Sequence, residues 1–306
     1  MKQFKDKVAL ITGAGNGFGQ EFAKEAARRG MRLYLVDIDA DDLARTGRTA
    51  SGMGAQVATL AADLSLEPGV ASMVDGCMAE YGRIDLLINN AGIAIPGEVD
   101  KLPSRDWEWI VNINCMSHVW SMQRVIPIMR GQGGECHIVN VASLAALTTM
   151  PGMPAYFATK HFALALSESV YYDLRQEQSS IGLSCFCPGF VKTDLHHCER
   201  HRPERYQAPD DPYYASAHFA EGQKRAEYEI MNGTELDPVG PYVFKAVEEE
   251  RFYIEIHPET KTMIKHRNRD IVKERNPDVD YVNLLSDLSH GIGKTPGNLL
   301  KVALKR

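Results

Sequence analysis

No excess of basic residues marks this chain: Lys and Arg total 34 against 40 Asp and Glu, a formal net charge of −6. Binding to a polyanion draws on a cationic surface, so nucleic acid is not an expected partner. Long apolar runs are also missing. The most apolar windows, 8–12 and 85–91, fall far short of the ~20 residues a membrane helix needs, and no charged-then-apolar leader opens the sequence. A cytoplasmic protein without a membrane partner is the expectation. Cysteines number six, too few for a disulfide framework and without paired C-x-x-C spacing. The nearest approach to a metal set is Cys185, Cys187, His196, His197 and Cys198. Cys185 and Cys187, two apart in an apolar run, point to one face of a strand as small core hydrophobes, so no metal is expected. Internal repeats and low-complexity tracts are absent.

What remains is an ordinary globular composition, 44% apolar and 24% charged over 306 residues. Short β-branched apolar runs alternate with longer stretches of helical period. Strands are predicted at 8–12, 32–37, 56–60, 86–89, 137–143 and 182–187, with helices at 17–29, 40–52, 67–81, 104–129 and 155–178. The strands' unbroken apolarity suits a parallel sheet covered on both faces, which makes the fold class α/β and doubly wound. Pro127 is expected to kink the fourth helix or end it early. Beyond Gly189 the alternation stops: 196–212, rich in charge, His and Pro, reads as an irregular excursion or short helical flap. A further helix over 236–250 and a seventh strand over 252–256 follow, and a tail runs from 257 to 306.

The first strand leads directly into Thr12-Gly13-Ala14-Gly15-Asn16-Gly17-Phe18-Gly19 and then a helix. Glycines there let the backbone approach a pyrophosphate, while the helix N-terminus offers free N–H groups. Eighteen residues past Gly19 the second strand ends at Asp37. A carboxylate at this interval accepts hydrogen bonds from an adenosine ribose and repels a 2′-phosphate, and no Arg or Lys stands nearby to hold one. The reading is NAD, with NADP disfavoured.

Tyr156 and Lys160, four apart, share a helix face. An ammonium and a nicotinamide cation beside a phenol with a free pKa near ~10 stabilise its phenolate, which makes it usable as an acid or base. Ser143 closes the fifth strand thirteen residues earlier, at the edge where such sheets bind ligands. With these residues in place the chain resembles a short-chain dehydrogenase/reductase of the non-extended branch. Residues 12–19 match its glycine motif, Asn89-Asn90-Ala91-Gly92 its fourth-strand signature, and Ser143, Tyr156 and Lys160 its catalytic set.

The resemblance, over roughly 5–195 with a weaker echo at 236–256, implies a Rossmann-type domain spanning 1–258, with a substrate flap at about 194–235 and a C-terminal extension at 259–306. It assigns Asn114 as the fourth catalytic residue, binding a water that relays protons from Lys160; Asn112 is the rival. It places Gly13, Asn16, Gly17, Phe18, Gly19, Asn90, Ala91 and Gly92 at the cofactor, Asp63 and Leu64 beside the adenine, and Pro188, Gly189, Val191 and Thr193 at the nicotinamide carboxamide. Tyr156 exchanges the proton, Ser143 orients the substrate oxygen, and Lys160 holds the nicotinamide ribose. A homodimer or homotetramer, joined through 104–129 and 155–178, is also implied.

Candidate pocket residues are Ile93, Ala94, Ile95, Leu144, Leu147, Met150, Met153, Phe190, Leu195 and Tyr206. The set is apolar and Met-rich, suited to a bulky hydrophobic secondary alcohol or ketone, steroid-like or aryl-alkyl. The tail's length and the flap's character also resemble longer bacterial members that oxidise aryl-alkyl alcohols. His196, His197, His201, Arg200, Arg202 and Arg205 make the flap cationic, readable as a carboxylate attractor or a solvated loop. The stretch 298–306 is a short basic amphipathic segment. Other readings of the chain are a non-catalytic NAD-binding scaffold, a dehydratase or epimerase, and a reductase of small carbonyls or hydroxyacyl groups.

Overall fold

The computed structural model describes residues 1–257 and 260–282; the 298–306 segment lies outside them. Seven parallel strands form one sheet in the order β3-β2-β1-β4-β5-β6-β7. They are β1 (Val8–Thr12), β2 (Arg32–Asp37), β3 (Val57–Ala61), β4 (Leu86–Asn89), β5 (Cys136–Val141), β6 (Ile181–Phe186) and β7 (Tyr253–Ile254). Every residue of β1, β4 and β5 is buried, as expected for central strands covered on both faces. At the outer edge β7 shrinks to two residues, which leaves little unpaired backbone there.

Helices α1 (Gly17–Arg28), α2 (Ala40–Gly52) and α8 (Val239–Glu248) supply Phe22, Leu43, Val243 and Phe244 to one core, with Ile11, Leu33 and Ile88 from the sheet. On the opposite face α3 (Glu67–Tyr81), α4 (Ser104–Val111), α5 (Ser117–Gln132) and α6 (Pro154–Gln176) bury Met73, Trp109, Val125 and Leu174 against Leu10, Leu87 and Ile138. Strand order reverses between β1 and β4. This opens a crevice at their carboxyl ends, where open α/β sheets bind ligands.

Two expectations need correction, and a helix in the flap was not anticipated. The fourth helix does not stop at Pro127; α5 runs on to Gln132. Pro127 and Gln123 both face solvent, so the carbonyl that loses its N–H partner is on the side open to water. The irregularity lies earlier, where a π-turn at Asn112–Met116 joins α4 to α5. Over 196–212 the flap takes the short helical form of the two readings, and a longer helix not anticipated from the sequence follows it. After helical turns at Leu195–His201 and Glu204–Tyr206 it contains α7 (Ala217–Met231), opened by a Ser216 cap on the Phe219 N–H. The tail begins with α9 (Thr260–Val272). Finally, β5 ends at Val141, so Ser143 lies two residues beyond it and caps the turn Leu144–Ala146 through the Ala145 N–H.

Candidate active site

One cavity of about 490 Å³ runs along the carboxyl edge of the sheet. It is lined by Gly13, Asn16, Gly17, Phe18, Asp37, Asp63, Leu64, Asn90, Ala91, Gly92, Ser143, Tyr156, Lys160, Pro188, Gly189, Val191 and Thr193. Of the site residues anticipated from sequence, only Gly19 and Asn114 lie behind its wall.

The β1–α1 turn is fixed from beneath. Asn90 donates through Nδ2 to the carbonyls of Thr12 and Gly13, at 2.9 and 3.0 Å. Thr12 Oγ1 in turn accepts the N–H groups of Asn90 and Ala91. A Cβ at Gly19 would lie 1.9 Å from the Gly13 carbonyl oxygen, and one at Gly13 (φ +61°) 2.9 Å from Ala91 Cα. Only glycine allows this close pass of loop and helix. The N-cap Asn16 makes no side-chain cap, which leaves first-turn N–H groups of α1 at the cavity's floor. A pyrophosphate fits such a cradle.

Asp37 is buried at the end of β2, where its carboxylate accepts Gly15 N–H at 2.7 Å and Asp39 N–H at 3.0 Å. Burial raises its pKa against these two bonds and the nearby His201. Asp63 accepts from Ser65 and from Arg205, the latter at 2.6 Å. Although burial opposes it, Arg205 and Ser65 hold this carboxyl below the usual range.

Tyr156 and Lys160 descend from the first turns of α6. Lys160 Nζ donates to the Val141 carbonyl at 3.1 Å and lies 5.6 Å from the Tyr156 ring centroid. Burial pulls the ammonium's pKa down to about 8. Burial likewise raises that of the Tyr156 phenol; a hydrogen bond with Ser143 opposes the rise and the Cys198 thiol adds to it. The protein's own groups therefore do not produce a ready phenolate.

Asn114 and Asn112 separate cleanly. Asn114 is fully buried, donates to Ile93 O and Thr159 Oγ1 and accepts Ile93 N–H, so it pins the loop after Gly92. Asn112 instead donates to the Tyr206 hydroxyl at 2.9 Å. Both Asn114 amide hydrogens are engaged, and its backbone lies within the π-turn.

Further residues support the site, and apart from Asn89 no sequence signature isolates them. Asn89, Asn140, Ser121 and Ser167 form a buried amide–hydroxyl chain that ties β4 and β5 to α5 and α6. His257 Nδ1 accepts the Gly189 N–H at 3.0 Å. Cys198 and, from α7, Ala226 and Ile230 also line the cavity.

Of the anticipated pocket residues, Ile93, Ala94, Leu144, Met150, Met153, Phe190 and Leu195 line it, but Ile95, Leu147 and Tyr206 do not. Ile95 and Tyr206 are packed in a core, Tyr206 stacked on Trp109, and Leu147 packs on the small cluster holding Cys185 and Cys187. Those two thiols sit 3.9 Å apart in that apolar cluster, whereas the Cys198 thiol donates to the Ala94 carbonyl. The flap arginines are each paired with a carboxylate of this chain, Arg200 with Asp42 and Asp194, Arg202 with Asp106 and Glu199, and Arg205 with Asp63; Arg202 is buried, whereas Arg200 and Arg205 stay partly in solvent. No described helix is long and apolar enough to cross a membrane.

The family model for short chain dehydrogenases matches residues 7–204. The chain is 50% identical over 283 residues to a CLA biosynthesis dehydrogenase/reductase of Lactiplantibacillus plantarum, covering 92% of this chain and 99% of that protein. It is 31% identical over 193 residues to human estradiol 17-beta-dehydrogenase 11, covering 63% of this chain and 64% of that one. Among solved structures it is similar to a short chain dehydrogenase/reductase of Burkholderia phymatum in complex with NAD, with 36% identity, a TM-score of 0.87, and 91% and 98% of the two chains covered. By family model, sequence and fold together, the chain belongs to the short chain dehydrogenase family and is an oxidoreductase of that family.

Proposed function

We propose that this protein interconverts a bulky hydrophobic secondary alcohol and its ketone with NAD. The observation that carries this reading is the continuity of one cavity, from the glycine cradle and Asp37 past Ser143, Tyr156 and Lys160 to an apolar end at Ile93, Ala94, Leu144, Met150, Met153 and Ile230. Bound nicotinamide dinucleotide supplies the hydride acceptor or donor.

The protein's part is binding, orientation and proton movement. Ser143 Oγ and the Tyr156 hydroxyl converge on the position of the substrate oxygen, Ser143 orienting it and Tyr156 exchanging its proton. Lys160, held by Val141 O, keeps a positive charge beside the phenol and meets the nicotinamide ribose. Protons then pass from Lys160 toward solvent by way of a water held at Asn114. An in-chain hydroxyl on a long hydrocarbon and a fused-ring alcohol both match the apolar walls, and the estradiol dehydrogenase among the relatives is named for an alcohol of the second kind.

NAD is favoured over NADP on charge. Asp37 faces the ribose position, and each nearby flap cation is already committed, Arg200 to Asp42, Arg205 to Asp63 and His201 beside Asp39 at 3.8 Å. Asp37→Ala is expected to weaken NAD binding roughly tenfold to a hundredfold, the scale of one charged hydrogen bond, and to narrow the NAD-to-NADP preference. Titrations of the two reduced cofactors followed by fluorescence measure both; an unchanged preference counts against Asp37 as selector.

Direction should depend on pH. Because burial raises the Tyr156 pKa, the phenol stays protonated at neutral pH until the cofactor adds its charge. Oxidation needs the phenolate, so kcat/KM for the alcohol is expected to climb from pH 6 to 9. Reduction needs the phenol, which beside the uncharged reduced nicotinamide stays protonated, so its profile should change little over the same range. Profiles flat in both directions would exclude this assignment. The general test is reduced-nicotinamide absorbance with NAD and NADP separately, across steroid, aryl-alkyl, hydroxylated fatty acid, polyol and hydroxyacyl alcohols. Turnover confined to small polar alcohols would overturn the substrate reading.

A further inference from the structure

Residues 194–206 form a strap across the cavity, and its backbone is well anchored. Cys198 Sγ donates to the Ala94 carbonyl, Asn112 holds the Tyr206 hydroxyl, and Arg202 is buried against Asp106. Two long side chains leave this anchored segment and bridge to the opposite lip of the groove. Arg200 Nη2 reaches Asp42 Oδ2 on α2 at 2.8 Å, and also Asp194 Oδ2 at 2.8 Å. Arg205 reaches Asp63 Oδ2 at 2.6 Å and Ser65 Oγ at 2.5 Å, in the loop between β3 and α3. Asp63, Ser65 and His201 line the cavity beneath these bridges, at the end marked by Asp37. The guanidinium side chains are themselves 42% and 34% exposed, so they can swing into solvent while the strap stays in place.

We infer that Arg200 and Arg205 are cofactor-retaining residues: side-chain latches that close the adenosine end of the groove and set the rate at which the reduced dinucleotide leaves. The inference rests on the dinucleotide reading above. A ligand lying between Asp37 and Leu64 occupies the end of the cavity that both bridges flank, and on this inference its exit requires the two ion pairs to part. Partly exposed pairs are weak singly and screened by salt, which suits contacts that must break at each turnover. Arg202, between them, is of the opposite kind: its partner Asp106 is fully buried, and it holds the frame from which the latches swing.

The experiment is stopped-flow release of NADH, displaced by excess NAD and followed by nicotinamide fluorescence, in 0.05 and 0.5 M NaCl. Wild type, Arg200→Met, Arg205→Met, the double variant and Arg205→Lys are compared. At low salt each single Met variant is expected to release NADH roughly threefold to fivefold faster, and the double variant roughly tenfold faster or more, with Arg205→Lys close to wild type. High salt should speed release from wild type and leave the double variant unchanged, a difference that a general loosening of the fold would not produce. Release from the double variant within twofold of wild type at low salt, or equal salt sensitivity in both, would overturn the latch. Wild-type protein that binds no NADH removes the dinucleotide reading and the latch with it, whereas normal binding with unaltered release removes the latch alone.

Discussion

Tyr156→Phe is expected to lower kcat for alcohol oxidation by about a thousandfold, in the middle of the range for positioned acid–base groups, while NADH affinity stays within about twofold. Phenylalanine keeps the ring, and with it the packing of Tyr156 near Phe157, whose centroid lies 6.5 Å away. Only the hydroxyl is lost, and with it the group whose raised pKa Ser143 holds down. Ser143→Ala should cost less, because it removes orientation but leaves the proton carrier. The measurement is steady-state kinetics on whichever alcohol the panel identifies, paired with a fluorescence titration of NADH. A Tyr156→Phe variant retaining a tenth of wild-type kcat would remove Tyr156 from the proton-transfer role. Full retention of a biological activity by that variant would instead revive the non-catalytic scaffold.

Much of the fold was legible because its signals are local and repeated. Strands β1, β2 and β4 are unbroken apolar runs bounded by turn residues, and Asp39 caps α2 by accepting from the Asp41 and Asp42 N–H groups. The candidate site was legible for a related reason. Gly13, Asp37 and Ser143 lie at carboxyl ends of strands or in the turns that follow, Tyr156 and Lys160 sit in the first turns of α6, and a parallel sheet gathers those strand ends along one edge.

What escaped depends on contacts between distant segments. The π-turn at Asn112–Met116 has no propensity signal; it is matched to the loop after Gly92 through the Asn114–Ile93 bonds, which span 21 residues. Helix α7 carries Gly222 and five charged residues, Glu221, Lys224, Arg225, Glu227 and Glu229, so its apolar stripe is faint. It is placed by Ala226 and Ile230 against the rest of the molecule. The same holds for the flap cations. Read alone, Arg200, Arg202 and Arg205 look solvated, because their partners Asp42, Asp106 and Asp63 lie 158, 96 and 142 residues away.

Arg202→Leu is therefore expected to destabilise the protein by roughly 3 kcal/mol, within the usual cost of breaking one side of a buried ion pair. The Arg202 guanidinium donates to Asp106 Oδ1 at 2.5 Å and to both Glu199 oxygens at 2.8 Å, and lies 4.4 Å over the Trp109 ring. Leucine fills part of that space but leaves Asp106, wholly buried, with only the Tyr214 hydroxyl at 2.7 Å to stabilise its charge. A melting temperature lower by about 6 °C or more is the expected reading for a chain of this size. Adding Asp106→Asn should restore part of the loss, since the uncompensated charge is then gone, and that partial recovery separates an ion-pair effect from simple loss of packing. A shift under 2 °C for Arg202→Leu would mean that the pair offsets only its own desolvation. The strap would then be held by Cys198 and Tyr206, and Arg200 and Arg205 would swing from a looser frame.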